Sequence, residues 1–346
     1  MKIKVIYDDI DLINFISYTD KDYIELKDKI FTSTFNSKFQ VIGKFKSPVH
    51  NNLFVIKFLN EEFPKDKCLV SGKNNILKGD IKNPYQKSIL GIAAFGNAYK
   101  YDLFKYGDKK RKYLYDLYRD LIKRVYTPYN NAEVNAYKDG ELDPRWDTYE
   151  KFLDWVFGDK TNNFQWFYQL DKDLLKPGNK IYGPDTCIFL PQQLNKTLAF
   201  SKSVVNLCQG VSKTQSGKYR SRINSTLLKL SHQFRATMSE AQSFLIYASG
   251  KRYILNIYAD IFFKEKLINQ KIKDSIKKFI ITDRREGYHK VTLQDFNYIT
   301  LDKFNKSFQT YNELYDYYLT HDEEMIEFTK KVNSQIKQID KKDLLI

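Results

Sequence analysis

GVSKTQSGKYRSRINSTLLKLSHQFRATMSEAQSFLIYASGKRYILNIYADIF, residues 210–262, changes its periodicity midway. The first half alternates polar and apolar residues between turn formers, and the second is an apolar run long enough for a helix. Three short strands are expected, joined by turns at Ser216-Gly217 and at Asn224-Ser225-Thr226. Within KYRSRI, Lys218, Arg220 and Arg222 share one strand face, while Tyr219, Ser221 and Ile223 share the other. Three cations in a row on a sheet face repel one another, so a partner anion would offset a cost. Thr237 and Glu240, spaced as T-M-S-E, read as the cap of the following helix. Its apolar face could cover the sheet, giving a three-stranded antiparallel sheet packed on a helix.

The charge around this stretch is uneven. From Thr186 to Ser239 there is no Asp or Glu, against eight cations: Lys196, Lys202, Lys213, Lys218, Arg220, Arg222, Lys229 and Arg235. The whole chain of 346 residues carries 57 Lys+Arg and 42 Asp+Glu, a net +15. Its Lys, Asn, Ile and Tyr content matches the codon bias of an AT-rich genome. That bias adds lysine everywhere but does not remove acids locally, so the acid-free stretch is the stronger sign of a polyanionic partner, nucleic acid or anionic membrane. An apolar share of 42% allows sizeable cores in two or three domains. No run approaches the roughly 18 apolar residues of a membrane span. MKIKVIYDDIDLINF at the start is too charged for a secretory signal. Cys68, Cys187 and Cys208 are too few and too scattered for a disulfide framework or a four-ligand zinc site, which fits a reducing, intracellular compartment.

Working back from 210, residues 166–195 read WFYQLDKDLLKPGNKIYGPDTCIFLPQQLN. A strand opens the segment, turns follow at Pro177-Gly178-Asn179 and Gly183-Pro184, CIFL forms a second apolar segment, and a helical turn carries Asn195. Asp171 and Asp173 read either as site carboxylates or as ordinary turn residues, and Asn195 as a site residue or a helix cap. WDTYEKFLDWVF, 146–157, has a helical period in Trp146, Tyr149, Phe152, Leu153 and Phe157, an aromatic stripe best read as core. KRKYLYDLYRDLIKRVY, 110–126, places Tyr113, Leu114, Leu117, Leu121, Ile122 and Val125 on one helical face, with Pro128 as its stop. Residues 101–126 hold eight Lys/Arg against four Asp, read as a solvated face or as phosphate contacts. Lys82-Asn83-Pro84-Tyr85, Gly91 and Gly96 mark a joint, and VIGKF and NLFVIKFLN before it suggest a small β module over residues 1–80. The tail from 300 onward is helical by period and locally acidic, suited to packing on the body or to assembly.

Two resemblances follow from these residues. NPYQKSILGIAAFG, YDLYRDLIKRVYTPY, AYKDGELDPRWDTYEKFLDWV and LDKDLLKPGNKIYGPDTCIFLPQQLN, in that order over roughly 80–200, resemble phage-encoded HNH-type endonucleases. Residues 207–262 resemble the APETALA/ethylene-response-factor type DNA-binding domain, a sheet set into the major groove and backed by one helix. Homing-type nucleases of phages often join the two in this order. The resemblance implies an α+β chain with a β-rich module (1–80), an HNH-like ββα-metal module (81–200), a DNA reader (201–265) and a helical region (266–346). It also implies a location inside an infected bacterial host, with double-stranded DNA as partner, and neither a membrane nor a small-molecule substrate.

Residue by residue, the HNH pattern places Asp171 at the metal-binding Asp and Asn195 at the final metal ligand. Thr186 or Asp185 falls near its middle Asn, and Lys172 stands where the general-base His belongs. Magnesium or manganese suits such hard oxygen ligands. The base would be Lys172, whose pKa would have to fall by about three from near 10.4, or Asp173, two residues from Asp171 on the same strand face. LDKD followed by GNK resembles the form usual in the phage subfamily. Where many members carry a cysteine pair this chain has Gly140 and Asp143, so no structural zinc is expected, and Cys187 reads as core. His232 reads as a DNA contact or a sheet-surface residue. Lys109, Arg111, Lys213, Lys218, Arg220 and Arg222 would hold DNA. The implied activity is cutting or nicking of DNA. The alternatives are a non-catalytic, sequence-specific regulator that keeps a degenerate HNH fold, and a protein-interaction factor using the aromatic helices and acidic tail.

Overall fold

The computed structural model describes residues 6–8, 16–47, 50–126, 140–199, 207–281, 283 and 291–344. Pro128 and Lys202 lie outside them. The chain is α+β, with antiparallel sheets and a helical C-terminal region. It divides into two compact units, Met1–Asp159 and Lys160–Ile346, so the boundary falls inside the stretch 81–200.

The first unit opens with β1 (Ile6–Asp8), β2 (Ile16–Ser17), α1 (Lys21–Leu26), β3 (Ile30–Thr32), β4 (Lys38–Phe45), β5 (Leu53–Phe58), β6 (Lys67–Gly72) and α2 (Lys73–Lys78). One sheet runs β1-β6-β5-β4-β2, with β3 also on β4. Alternation along β5 sends Phe54, Ile56 and Phe58 to one side and Val55 to the other, and all four are buried. The sheet therefore has a core on each face: Phe39, Phe54, Ile56 and Leu69 on one, Ile16, Val55, Cys68 and Val70 on the other.

β7 (Lys87–Ile89) and β8 (Ala93–Ala94) pair across the expected joint. Two 3-10 turns, Ala98–Tyr101 and Leu103–Tyr106, lead into α3 (Asp108–Tyr126). Leu114, Tyr118, Leu121 and Ile122 form its buried face, while Tyr113, Leu117 and Val125 are half-buried at its margins. After β9 (Glu141–Leu142), Trp146 sits in a 3-10 turn and α4 spans Tyr149–Gly158, three residues later than the aromatic stripe begins. Thr148 makes that boundary by capping the helix at the Lys151 N–H. The stripe is core, as expected: Trp146, Tyr149, Phe152 and Leu153 are buried, and the Tyr118 hydroxyl donates to the Trp146 carbonyl at 2.8 Å.

The second unit contains β10 (Gln169–Asp171), β11 (Ile181–Tyr182), β12 (Ile188–Leu190), α5 (Gln192–Leu198), β13 (Val211–Lys213), β14 (Tyr219–Ser225) and β15 (Leu230–Thr237). Five helices follow: α6 (Glu240–Lys264), α7 (Gln270–Lys278), α8 (Leu293–Phe304), α9 (Tyr311–His321) and α10 (Glu323–Ile336). The expected three-stranded sheet is present, in the order β13-β14-β15, with α6 packed on it. Its second turn lies later than expected, at 226–229, because Asn224 and Ser225 pair with Ser231 and Leu230. The cap of α6 is Ser239, not Thr237. The Thr237 hydroxyl bonds Ser239 and Ser243 instead, and Glu240 accepts the Cys208 N–H.

α6 is buried almost all round, which marks a central helix. The sheet covers one side of it, and α7 to α10 cover the rest. Two glycines permit the close approach. Gly210, at φ +74°, has the Tyr247 ring where a Cβ would stand, 2.1 Å away, and a Cβ on Gly250 would lie 2.5 Å from Ile223. The tail packs on the body of its own unit: Leu314, Tyr315, Tyr318, Met325 and Phe328 share one core with Ile223, Phe234 and Phe244.

Candidate nucleic-acid interface and metal site

The face of β13–β15 away from α6 carries Arg220 and Arg222, with Lys218 just before β14, whereas Lys213 stands opposite Tyr219 and shares the side of Ser221. Ser221 and Ile223 are buried under the helix, Arg222 is exposed and Arg220 half-buried, so the expected alternation holds along β14. Tyr219, on the same side as Ser221, is only half-buried. Lys213 ends β13 and Lys218 immediately precedes β14, both exposed at the hairpin end. A bulge lets two residues of β14 face three of β15 beyond Arg220. Among the described residues, no carboxylate pairs with Lys213, Lys218, Arg220 or Arg222. The Arg222 guanidinium is steadied by the Ser231 hydroxyl at 2.9 Å, and Ser231 in turn donates to Asn224 at 3.0 Å. The Arg220 Nε is buried without a hydrogen-bond partner.

Arg235 behaves differently from Lys213, Lys218, Arg220 and Arg222. Its guanidinium meets Asp322 at 2.7 Å and Glu324 at 3.0 Å, and Glu324 also accepts the Arg235 backbone N–H. His232 is no surface contact. It is half-buried between Phe234 and Phe328, and burial, with Lys331 nearby, pushes its pKa down.

β10 and β12 form an antiparallel pair, Asp171 opposite Ile188, and α5 follows directly. The sequence order is thus strand, loop, strand, helix, with Leu190 and Leu194 anchoring it in the core. Asp171 closes β10. Its Oδ1 accepts the N–H groups of Asp173 at 3.0 Å and Leu174 at 2.7 Å, an Asx-type turn that ends the strand. Asp173 therefore lies in the bend beyond the strand, not on the strand face with Asp171. Burial pushes the Asp171 carboxyl up to about 6, with Asp173 adding to the rise and the two N–H donors opposing it.

Lys172 donates to the Asp173 carboxylate and, at 2.6 Å, to the Asn179 carbonyl. The Asn179 side chain is buried and bonds the Ile181 backbone on both sides, so GNK is a loop staple as well as a turn. Thr186 closes the other end of the loop, donating to the Ile181 carbonyl at 2.8 Å and accepting the Gly183 N–H. Cys187 is buried core as expected, and burial pushes its thiol up to about 12.

Asn195 lies inside α5 and is not its cap; Pro191 holds that position. Its amide donates to the Gln169 side chain at 2.7 Å, so the helix is tied to β10 two residues before Asp171. Two hard oxygens are thereby left without a hydrogen bond among the described residues: Asp171 Oδ2 and Asn195 Oδ1. Among those residues, no three His, Cys, Asp or Glu side chains form a group that could hold a metal ion. Magnesium is ordinarily held through one or two carboxylates with water completing the shell, and the hard oxygens of Asp171 and Asn195 suit that ion by their chemistry.

Lys109 and Arg111 belong to the first unit, at the start of α3. Arg111 pairs with Asp108 at 2.9 Å and lies 4.5 Å over the Phe104 ring. Sequence reasoning missed Ser231, Asn224, Gln169 and Asn179 as supporting residues. Asn179 and Asn224 carried a local signal, each as a residue of an expected turn. No described helix is long and apolar enough to cross a membrane. Compared with known proteins, the chain matches no family model, no curated protein and no solved structure.

Proposed function

We propose that this protein binds double-stranded DNA through the outer face of β13–β15 and cuts or nicks it with a divalent ion at Asp171 and Asn195. One observation carries the DNA reading. Arg220 and Arg222 on the outer face, with Lys218 and Lys213 at the same hairpin end, pair with no carboxylate among the described residues, whereas Arg235, Arg111 and Arg119 are each paired with acids. Lys213 and Lys218 suit phosphates, and the braced Arg222 fork suits a guanine edge.

For cleavage, Asp171 Oδ2 and Asn195 Oδ1 would hold magnesium or manganese, with Gln169 orienting the Asn195 amide. The ion would neutralise charge developing on the scissile phosphate and leaving oxygen. Lys172 is engaged as a donor to two acceptors, one of them the Asp173 carboxylate, so of the two candidate bases Asp173 is the one already placed as an acceptor. A second reading has this same engagement behind it: a DNA-binding regulator that keeps the strand–strand–helix frame without a working base.

The test is nicking of supercoiled DNA, carrying genomic targets, in magnesium or manganese. We expect metal-dependent nicking that Asp171→Ala abolishes while duplex binding persists. Binding without nicking in both proteins would establish the regulator instead.

A further inference from the structure

We propose that His232 makes α10 a clamp that loosens in acid: protonating its ring releases the helix from the edge strand β15. Among the described residues β15 pairs with β14 alone, and α10 packs on it. Two sets of contacts join strand and helix. At one, Arg235 meets Asp322 and Glu324 at the start of α10, and Glu324 also accepts the Arg235 backbone N–H at 2.8 Å. The other lies one turn further along the helix and is aromatic. The His232 ring is centred 4.5 Å from Phe234 and 5.2 Å from Phe328, which themselves lie 5.2 Å apart. Both phenylalanines are buried, and the His232 Nε2 is buried with no hydrogen-bond partner.

This slot suits an imidazole and not an imidazolium. The charged ring carries an N–H at both nitrogens, and here one of them would be buried without an acceptor. Burial is the largest influence on the ring and, with Lys331 of α10, holds its pKa below the ordinary 6.5 against Glu324 and Glu327 of the same helix. The other neighbours add no charge at the ring. β14 sets Ile223 opposite His232. α6 brings up Gly250, where a Cβ would lie 3.1 Å from Phe328, and its Tyr253 hydroxyl donates to Asn333 of α10. On the strand, the Arg235 guanidinium is taken up by Asp322 and Glu324. Above 6.5 the ring is neutral whether held or released, and the clamp has its full strength. As pH falls from there toward the lower pKa of the held ring, the released state binds more protons and is increasingly favoured. Outside its own strand the ring's aromatic contact is Phe328 of α10, so the opening is local. The inference does not depend on DNA binding by the sheet.

Amide hydrogen exchange on the full chain at about pH 7.5 and about pH 5.5, both above the ordinary carboxylate range, tests it. After correction for intrinsic exchange, we expect the protection of α10 to drop in acid while that of α6 is kept. His232→Phe, which keeps an aromatic ring and cannot be protonated, leaves α10 equally protected at both values. Lys331→Gln, which removes a charge opposing the imidazolium, lessens the drop. The His232 ring of the wild type, followed by NMR, titrates below 6.5, and this arm needs no variant. A drop in His232→Phe as large as in the wild type would overturn the proposal. So would an equal loss of protection across α6, or a ring midpoint at or above 6.5.

Discussion

Asp322 has three roles at one carboxylate. It caps α10 at the Met325 N–H, takes the Arg235 guanidinium at 2.7 Å and pairs with Lys303, at 1% side-chain exposure. Burial alone would raise its pKa; Arg235 and Lys303 outweigh that and hold the carboxyl below its ordinary range. We expect Asp322→Ala to cost about 3–5 kcal/mol, the range for breaking a buried pair from one side, read as a lower urea midpoint. Because the folded pKa is depressed, the ion-pair contribution is complete above the unfolded value near 3.9 and is lost as pH falls through the folded one. The stability gap between wild type and Asp322→Asn therefore closes in acid, and a gap constant with pH would contradict this role. Gly210→Ala is the second prediction at this scale. Both its positive φ and the Tyr247 ring oppose a Cβ, so a loss beyond about 1 kcal/mol is expected in the same unfolding experiment. Neither role was legible in the sequence. The partners of Arg235 lie more than eighty residues downstream, and no local pattern announces them.

Elements were more legible than residues where a period ran long. α3, α6 and the strands β14 and β15 follow from their alternation, since pattern decides which face is buried. Their ends did not follow, because side-chain caps such as Thr148 and Ser239 compete with equally plausible neighbours. α6 also hides a cost. Burial pushes the Lys251 ammonium down to about 8 from an ordinary 10.5. Between those values the unfolded chain binds more protons, so stability rises with pH there, and below about 8 the full penalty applies. Lys251→Met should stabilise the protein at neutral pH by up to about 3 kcal/mol, at roughly 1.36 kcal/mol per pKa unit. It should also flatten the rise between pH 8 and 10.5. Denaturant midpoints across that range decide it, and curves that stay parallel would contradict it.

For the whole molecule, the α+β class and the sheet-on-helix arrangement were readable, but how far the core around that sheet and helix extends was not. Phe296, Leu314, Tyr318 and Met325 of the helical tail share the core of α6 and β14. A piece ending near 265 would expose that apolar face. We expect the fragment 160–346 to melt cooperatively and 201–265 not to, as followed by circular dichroism. The candidate site was half readable for a similar reason. The resemblance pointed to Asp171 and Asn195, whereas the Gln169 tether and the engagement of Lys172 depend on chain segments brought together by folding.

The most direct test is the salt dependence of duplex binding by the full chain and by Lys213→Gln, Lys218→Gln, Arg220→Gln and Arg222→Gln. The account predicts a steep fall in affinity with salt. Each phosphate-contacting cation removed should lower the slope by about one, and Arg222→Gln should also relax sequence preference. Wild-type slopes and affinities in all four variants would contradict the assignment of this face to DNA.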